Sequence, residues 1–327
     1  MILTLVEHAD GRPDRLSLET LTVARRLAST TGKPVQAVLF GPGARDAAAA
    51  LAGQGVPNAS VVEEPRFDAY APAAWGAAVA ELAGGGATAV LAAGSDRGNE
   101  VMAHVGARTG LAMAANCVEI TPGEPFRVVR QRWAGSLLED ASLDGGTPLL
   151  TIAPHAAPVE EAAGAAPAVE TFTPKVTEAD LRVRVVGRVE PAAGSLNLAD
   201  AKVVVGGGRG LGGPEAFGML DELAGLLGGA VGVSRVATSA GWRPHSQQIG
   251  QTGLRIAPDL YIACGISGAI QHIVGCRAAK RILVINKDAE APIMSRAAYA
   301  VIGDLHTVVP AISAEIRRVR SNGKDAD

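Results

Sequence analysis

The stretch from Gln248 to His272 constrains the fold more than any other part of this chain. It contains a short apolar run, Leu260–Cys264, which ends in Gly265-Ile266-Ser267-Gly268 and then continues as a helical pattern. This order is typical of a buried strand that turns directly into a helix, the unit from which open α/β sheets are built. Because glycine lets the backbone approach a ligand closely, the turn is also a candidate binding loop. The free N–H groups at the start of the new helix, with Ser267 beside them, would suit a phosphate.

Short apolar runs alternate with helical patterns through the first part of the chain. Strands are predicted at residues 2–6, 35–40, 59–62 and 88–93, and helices at 17–27, 44–51, 73–82 and 100–105. This spacing is typical of a mostly parallel sheet flanked by helices. Three further predicted strands, at 117–120, 127–133 and 149–152, have no helices between them, so an added antiparallel section is expected.

A break in this pattern divides the chain into two predicted domains, as its length of 327 residues suggests. Residues 154–170 are rich in alanine and proline without apolar periodicity, which indicates a loop or linker. Residues 181–189 alternate apolar residues with arginines and are predicted to form a half-exposed strand, and residues 190–200 a second connection. We therefore expect an N-terminal α/β domain at 1–190 and a C-terminal, doubly wound α/β domain at 191–327.

The second α/β unit begins after that connection. Strands are predicted at residues 202–205, 230–233, 260–264, 282–285 and 299–302, and helices at 214–227 and 305–319. Polar or glycine residues follow these strands: Arg209, Ser234 with Arg235, Gly265 to Ser267, Asn286 and Asp304. The carboxyl ends of parallel strands meet at one edge of a sheet, where ligands bind in open α/β folds. A ligand that touches all of these ends must be long, which favours a dinucleotide.

Composition argues against several other classes of protein. The net charge is -3 and no basic stripe is visible, which argues against nucleic-acid binding. No run of about 18 uncharged apolar residues is present, so the chain is not expected to be embedded in a membrane. The chain has three cysteines, Cys117, Cys264 and Cys276, an odd number without a CxxC pair. This pattern indicates a protein of a reducing compartment that has no disulfide frame and no cysteine metal site. With no signal-like segment at the N-terminus, the sequence predicts a soluble cytoplasmic protein.

The glycine run Gly208–Gly213 fits the pattern G-x-G-x-x-G between a strand and a helix. A nicotinamide site also needs an acidic residue about 20 positions later, for the ribose hydroxyl. Here the next strand ends in Ser234-Arg235 instead, and an arginine suits a 2′-phosphate, so an NADP-dependent oxidoreductase is one hypothesis. The alternative is a tight glycine turn without a ligand, because a lone glycine fingerprint is a weak signal.

The candidate side chains in these loops also have structural interpretations. Arg235 suits a planar anion, but it equally suits a surface ion pair. His272 can stabilise negative charge as a hydrogen-bond donor, although a histidine packed in the crevice of the sheet is the more common case. Gln251 and Thr252 could simply form a polar turn. Asn286 and Asp304 could cap the ends of their strands.

No hydrolase site is indicated by the sequence. Gly265-Ile266-Ser267-Gly268 lacks the spacing of GxSxG, and no Cys/His pair or cluster of metal ligands is evident. A comparable loop in the first domain, with Ser95 and Arg97, has no second polar loop nearby and is interpreted as structural or as a partner contact. The sequence therefore favours a site that holds a ligand over one that cuts a substrate.

Six runs of residues resemble those of a known family. They are VVVGGGRGLGGPEAF, AVGVSR, QIGQTG, PDLYIACGISGAIQH, INKDAEAPI and GDLHTVVPAI. Together, and in this order, they resemble the C-terminal half of the electron-transfer flavoprotein alpha subunit, closely over residues 200–318. The opening of the chain, LVEH followed by SLETLTVARRL, is similar to the first strand and helix of that family, so the resemblance extends more loosely over the whole chain.

The resemblance implies an FAD site in the second domain. The residues expected to hold the pyrophosphate are Arg209, Gly210, Ser267 and Gln271. Those expected to surround the flavin ring are Arg235, Gln251, Thr252 and His272. The residues expected to bind the rest of the dinucleotide are Ser234, Gln248, Asn286, Asp304 and Leu305. The other loop residues expected to contact the cofactor are Ile249, Gly250, Gly265, Ile266, Gly268, Ala269 and Ile270. The sequence departs from the family pattern in two places. Gly206 stands where the family often has serine, and the run 236–239 replaces one that usually carries an aspartate. Neither departure removes an expected contact to the flavin ring.

The resemblance also implies how such a subunit works. It forms a heterodimer with a beta subunit that completes the flavin pocket, and the first domain supplies much of that interface. Electrons come from flavin dehydrogenases of the acyl-CoA type, as in fatty acid beta-oxidation, and pass to a membrane quinone oxidoreductase. Arg235 and His272 near the ring would favour negative charge on the reduced flavin. The protein is then an electron carrier rather than an enzyme. A flavin-free scaffold that uses the first domain for association is a third hypothesis.

Overall fold

The chain divides into two units, Met1–Val189 and Glu190–Asp327, and each contains one large sheet. The structure is a computed structural model that describes residues 1–187, 197–198 and 200–324. The predicted connection at 190–200 lies outside the described residues except at 197, 198 and 200. In the described part of the chain, no helix combines the length and the apolarity needed to cross a bilayer.

The first unit follows the predicted alternation of strands and helices. Its elements are β1 (Ile2–Leu5), β2 (His8–Ala9), β3 (Arg12–Pro13), α1 (Arg15–Thr31), β4 (Val35–Phe40), α2 (Ala44–Ala49), β5 (Asn58–Val62), α3 (Pro72–Gly84), β6 (Ala89–Ala93), α4 (Asp96–Thr109), β7 (Met113–Thr121), β8 (Phe126–Arg132), β9 (Leu137–Leu143), β10 (Leu149–Ile152) and β11 (Ala168–Thr171). Nine of these strands form one sheet, in the order β11-β5-β4-β1-β6-β10-β7-β8-β9. It is parallel from β11 to β7, and antiparallel from β7 to β9, which confirms the mostly parallel sheet with an antiparallel addition.

One strand of this sheet differs from the prediction in its direction. Strand β10 was expected in the antiparallel section, but it lies between β6 and β7 and is parallel to both. All four of its residues are buried, because both of its faces are covered. A strand buried on both faces is a continuous apolar run, and its sequence does not reveal which neighbours it pairs with.

Two predictions for the connecting segments were wrong in part. The segment 154–170 ends in β11, an edge strand that pairs with β5, so its last residues are not a free linker. The predicted strand at 181–189 does not form in its described part. Thr177 and Asp180 make a capping box there, which starts a short 3₁₀ turn at Glu178–Leu181 and leaves Val183 and Val186 exposed.

The second unit contains a five-stranded parallel sheet. Its elements are β12 (Val203–Gly207), α5 (Phe217–Leu227), β13 (Ala230–Val233), α6 (Arg235–Ser239), β14 (Leu260–Cys264), α7 (Ile270–Cys276), β15 (Ile282–Asn286), β16 (Tyr299–Ile302) and α8 (Leu305–Lys324). The strand order is β13-β12-β14-β15-β16, and every neighbouring pair is parallel. The expected α/β architecture is thereby confirmed, although α6 was not predicted.

Alternate residues of these strands pack on opposite faces of the sheet, as the period of two in a strand requires. On one face Val204, Tyr261 and Val284 join a core with Cys276 of α7. On the other face the core contains residues of α5 and α8, together with their strand neighbours Val205, Ile262 and Ile285. The strands are therefore apolar on both sides, and their polar residues are confined to the ends.

The order of strands reverses between β12 and β14. The chain leaves β12 towards β13 on one side and returns to place β14 on the other side. The loops after β12 and β14 therefore run in opposite directions and leave a crevice at the carboxyl edge of the sheet. Ligands bind in open α/β sheets at such a switch point.

Candidate functional site

A cleft of about 580 Å³ opens at this switch point. Its volume lies within the range of small-molecule and cofactor sites. Among the residues predicted from sequence, the structure brings to this cleft Arg209, Gly210, Ser234, Arg235, Gln248, Ile249, Gly250, Gln251, Thr252, Gly265, Ile266, Ser267, Gly268, Ala269, Gln271, His272 and Asn286. Ile270, Asp304 and Leu305 are not part of this lining.

The floor of the cleft is a backbone contact between the loops that follow β12 and β14. The N–H of Gly210 donates to the carbonyl of Gly265 over 2.9 Å. A Cβ atom at position 210 would lie 2.6 Å from the Cα of Gly265, which is closer than real Cβ contacts come. The glycines are therefore needed here for close approach of two backbones, and at this point a ligand in the cleft would meet main chain.

A second pair of glycines joins the loop at 248–253 to helix α7. The N–H of Gln251 donates to the carbonyl of Gln271 over 2.7 Å. Gly250 has a φ of +148° and leaves no space for a side chain beside that carbonyl. A Cβ at Gly275, one turn further along α7, would lie 2.2 Å from the nitrogen of Gly250. The two motifs QIGQTG and GISGAIQH thus form one continuous wall of the cleft.

A chain of hydrogen bonds orients the polar side chains of that wall. The buried amide of Gln248 accepts from the hydroxyl of Thr238 at 2.7 Å and donates to the hydroxyl oxygen of Thr252 at 3.0 Å. Because Thr252 is the acceptor in this bond, its own O–H proton remains available to a ligand. The arrangement can present one hydroxyl donor in a fixed position.

Backbone donors without an acceptor among the described residues occur where α7 begins, and four of their five residues, Ser267, Gly268, Ala269 and Gln271, line the cleft. No acceptor is found in the described part of the chain for the backbone N–H groups of Ser267 to Gln271. The expected place of Ser267 at the start of the helix is corrected, because the N-cap is Ala269 and no side chain caps it. Ser267 lies two residues earlier, and its carbonyl accepts from the N–H of Ile293 at 3.1 Å. The N–H groups of this turn are thus donors that a phosphate would satisfy.

Ser234 has a buried hydroxyl without a partner. The residue is 9% exposed at the end of β13, and its Oγ makes no hydrogen bond to any described residue. Its backbone N–H donates to the carbonyl of Gly207 and fixes its position beside β12. A buried polar atom that lacks a partner is costly, so this hydroxyl is suited to a hydrogen bond with a ligand in the cleft.

Two arginines border the cleft without a carboxylate partner. Within the described ranges, neither Arg209 nor Arg235 has an ion pair, and Arg235 makes a single long hydrogen bond of 3.4 Å to the side-chain oxygen of Gln271. Both side chains are exposed. The alternative of a surface ion pair for Arg235 is therefore not realised. Their charge favours an anionic ligand.

His272 lines the cleft and also packs into the core. It is buried, and its Nε2 lies 2.7 Å from the hydroxyl oxygen of Tyr261. Burial lowers the pKa of His272 to about 4, and the nearby carbonyl of Ile249 only partly opposes this shift. The imidazole is thus neutral near pH 7, so it acts through a single N–H.

This pKa predicts how stability depends on pH. Unfolded histidine binds a proton below about pH 6.5, whereas folded His272 does so only below about pH 4, so its contribution is present at pH 7 and is lost as the pH falls through this window. The difference corresponds to about 3 kcal/mol between pH 7 and pH 4. Urea unfolding at both pH values should show that His272→Gln loses less stability on acidification than the wild type. The exposed His245→Gln is the control, and equal losses for His272→Gln and the wild type would contradict the expectation.

The residues at the ends of β15 and β16 make structural contacts. Asn286 donates from Nδ2 to the carbonyl of Ile266 at 3.0 Å and so holds the loop after β14. Asp304 accepts from the N–H of His306 at the start of α8 and pairs with Lys287 at 3.0 Å. The contacts of Asn286 and Asp304 are those of strand-end capping residues, and Leu305 packs in the core beneath Gly265.

Three lining residues were missed from the sequence: Val236, Ser239 and Asp288. The first two belong to α6, which begins at Arg235 and carries residues 235 and 239 along one side of the cleft. The i, i+4 spacing in RVATS was the available signal, but five residues are too few to show helical periodicity. Asp288 follows Asn286, and its N–H donates to the side chain of Asn286 at 3.1 Å.

The polar loop of the first unit has structural contacts. Ser95 caps α4 by accepting from the N–H of Gly98 at 2.8 Å, and its hydroxyl bonds to the buried carboxyl group of Glu7. The guanidinium of Arg97 lies 5.1 Å from the ring centre of Tyr70. Across the residues described, no group of three or more His, Cys, Asp or Glu side chains is placed to hold a metal ion.

Comparison with known proteins identifies relatives over the whole chain. Residues 2–177 match the family model of the electron transfer flavoprotein domain, and residues 197–277 match that of the electron transfer flavoprotein FAD-binding domain. The chain is 38% identical to the electron transfer flavoprotein subunit alpha of Mycobacterium tuberculosis, over 97% of this chain and 98% of the relative. It is 33% identical to the subunit of the same name from Thermoanaerobacterium thermosaccharolyticum, over 98% of each chain. It is also 33% identical to protein FixB of Clostridium saccharobutylicum, over 98% of this chain and 97% of the relative.

Proposed function

The chain belongs to the electron transfer flavoprotein alpha-subunit family, and from this membership we propose that it binds FAD in the cleft of its second unit, pairs with a beta subunit and carries electrons. The donors are flavin dehydrogenases of the acyl-CoA type, as in fatty acid beta-oxidation. The acceptor is a membrane quinone oxidoreductase. The three cysteines are buried free thiols, in keeping with work in the cytoplasm, a reducing compartment.

The unsatisfied donors of the cleft carry this proposal. A dinucleotide brings a pyrophosphate with two negative charges, and the backbone N–H groups of Ser267 to Gln271 have no other acceptor in the described chain. Arg209 and Arg235 add positive charge without a carboxylate partner there, and Ser234 adds a buried hydroxyl. The residues present fit FAD, because each of these groups would gain the partner that it lacks.

FAD supplies the ring that accepts and releases electrons, and the protein supplies its surroundings. Thr252 would offer its hydroxyl proton to the ring, Arg235 its positive charge and His272 an N–H. None of these residues needs to transfer a proton to a substrate. Burial raises the pKa of all three cysteines to about 12, so no thiolate nucleophile forms near pH 7. The site therefore suits an electron carrier rather than an enzyme with its own acid, base or nucleophile.

A hairpin of the first unit suits the beta-subunit interface. The turn that joins β8 to β9 contains Trp133, which is 81% exposed, and Leu138 near the start of β9 is 67% exposed. Trp133 also has a φ of +49°, which is a strained conformation for a large side chain. Exposed aromatic anchors are the residues that most often dominate binding at protein interfaces.

Replacement of this tryptophan should weaken the heterodimer. We expect Trp133→Ser to raise the dissociation constant for the beta subunit at least tenfold, which corresponds to about 1.4 kcal/mol. Sedimentation or titration calorimetry with purified beta subunit measures the change. Val319→Ser removes another exposed apolar side chain, on α8, and should have no such effect. Equal affinities for the two variants would remove Trp133 from the interface.

The visible absorption spectrum of the chain co-expressed with its beta subunit tests the proposed function. We expect a flavin spectrum, and release of FAD on denaturation. A colourless complex that binds NADP would overturn the electron-carrier proposal in favour of a dehydrogenase built on the glycine run and Arg235. A colourless complex that binds neither would favour a scaffold.

A further inference from the structure

A tyrosine lies behind the cleft and contacts the histidine that lines it. Tyr261 is fully buried on β14, and its hydroxyl oxygen lies 2.7 Å from Nε2 of His272. Within the described residues, Nδ1 of His272 is buried and has no hydrogen-bond partner. Nε2 is therefore engaged inside the core, and Nδ1 is left for an acceptor outside it, either the nearby carbonyl of Ile249, which lines the cleft, or a ligand in the cleft.

Glycine at position 206 makes room for this hydrogen bond. Gly206 lies on the neighbouring strand β12, and a Cβ atom there would lie 2.2 Å from the hydroxyl oxygen of Tyr261. A Cβ atom would also lie 2.6 Å and 2.7 Å from two carbons of the phenol ring. Any other residue at 206 would push the phenol from its place beside His272. The pair thus depends on three residues from three different elements.

The protons of the pair can be arranged in two ways. A neutral imidazole carries one N–H, and a phenol can donate one hydrogen bond. If Nε2 carries the proton, the phenol must accept, and its own O–H is left without a partner in the core. If Nδ1 carries the proton, the phenol donates to Nε2 and is satisfied. The first arrangement leaves two buried groups without a partner among the described residues, the phenol O–H and the lone pair of Nδ1. The second leaves only the N–H of Nδ1 and is therefore the more stable one.

We propose that Tyr261 is a positioning residue that holds neutral His272 in the tautomer with its proton on Nδ1, and so makes it a hydrogen-bond donor for the ligand in the cleft. Burial raises the pKa of Tyr261 far above its usual value, so the phenol keeps the proton that it donates. The identity of the ligand, FAD, rests on the proposed function, whereas the tautomer rests on Tyr261, His272 and Gly206 alone.

Nitrogen NMR of the full-length chain labelled with ¹⁵N-histidine tests the tautomer directly. The signal of His272 is assigned by its loss in His272→Gln. We expect a protonated nitrogen at Nδ1 and an unprotonated one at Nε2 in the wild type. Tyr261→Phe removes the donor and should move the proton to Nε2 in most molecules. Tyr299→Phe alters an exposed tyrosine of the same sheet and should leave the signal unchanged.

A second variant reaches the same hydrogen bond without altering either partner. Gly206→Ala displaces the phenol and should change the His272 signal in the same direction as Tyr261→Phe. Circular dichroism identifies any variant that does not fold, and Tyr261→Phe, which removes a single atom, is the variant better able to keep the fold. A wild-type His272 with its proton on Nε2 would overturn the proposal, as would a Tyr261→Phe spectrum identical to that of the wild type.

Titration of the same chains with FAD, in the presence of the beta subunit, separates this inference from the proposed function. If Tyr261→Phe lowers the fraction of His272 with its proton on Nδ1 to one fifth, the affinity for FAD should fall about fivefold. Wild-type affinity together with an unchanged tautomer in this variant would overturn the inference and leave the proposed function standing. The expected tautomer in a wild-type chain that binds no FAD would support the inference and contradict the proposed function.

Discussion

Replacement of Gly210 by alanine should abolish cofactor binding and destabilise the second unit. The new Cβ would lie 2.6 Å from the Cα and 3.0 Å from the carbonyl oxygen of Gly265, so the two loops at the switch point would have to separate. Both contacts are to backbone, which cannot rotate away. We expect the free energy of unfolding to fall by about 1–3 kcal/mol, as for other overpacked sites. The loss of FAD should be larger than this figure suggests, because the backbone donors of both loops would move together.

A glycine on the same unit provides a control of opposite sign. Gly218 lies within helix α5, and nothing lies within 4 Å of the position that its Cβ would take. Gly218→Ala should therefore stabilise the protein by about 0.5–1 kcal/mol, since alanine is the better helix former. Urea unfolding and FAD content, measured on both variants, test these two expectations. A Gly210→Ala protein that retains wild-type FAD content would show that the cofactor does not depend on the close approach of these loops.

Arg235→Ala should make the bound flavin harder to reduce while the fold stays intact. The guanidinium has no carboxylate partner in the described chain, so its positive charge is available to stabilise electrons that enter the ring. A unit charge a few ångströms away in a partly exposed site is worth about 1–2 kcal/mol. For the transfer of one electron, this corresponds to a fall in reduction potential on the order of 60 mV. Spectroelectrochemical titration of the FAD-loaded heterodimer measures the change.

The matched control removes the same charge elsewhere. Arg320 is exposed on α8, away from the residues that line the cleft. Arg320→Ala changes the net charge of the chain equally and should leave the potential within a few millivolts, because salt screens distant surface charges. If both variants lower the potential by the same amount, the effect belongs to overall charge and not to Arg235.

The sequence predicted the second sheet well because its strands are buried on both faces. The runs Ala230–Val233 and Leu260–Cys264 are followed by Ser234 and Gly265, and the strands end at the last residue of each run. The polar residues that follow meet at one edge for the same reason. This reasoning brought Arg209, Ser234, Arg235, Gly265 to Ser267 and Asn286 to the cleft, since parallel strands bring their carboxyl ends together, whereas most of the other candidates came from the family resemblance.

Contacts between residues far apart in sequence could not be predicted from apolar runs and strand ends. The insertion of β10 between β6 and β7 depends on which neighbours cover its faces, and an apolar run carries no such information. No sequence pattern marks Gly275, although its lack of a side chain leaves room for the backbone of Gly250. The bond between Tyr261 and His272 was hidden because a tyrosine within an apolar strand looks like any other core residue.

The row of N–H groups from Ser267 to Gln271 has a consequence for how this site can change over generations. Every residue except proline has a backbone N–H, so a phosphate held in this way depends little on the side chains at these positions, except at Gly268, where a φ of +81° and the contact with Ile293 require glycine. Ala269 and Ile270, whose side chains are exposed, could drift to other residues without cost to the cofactor. A single inserted or deleted residue, in contrast, would rotate every donor away from its target. This turn is thus tolerant of substitution at Ala269 and Ile270 and intolerant of changes in length.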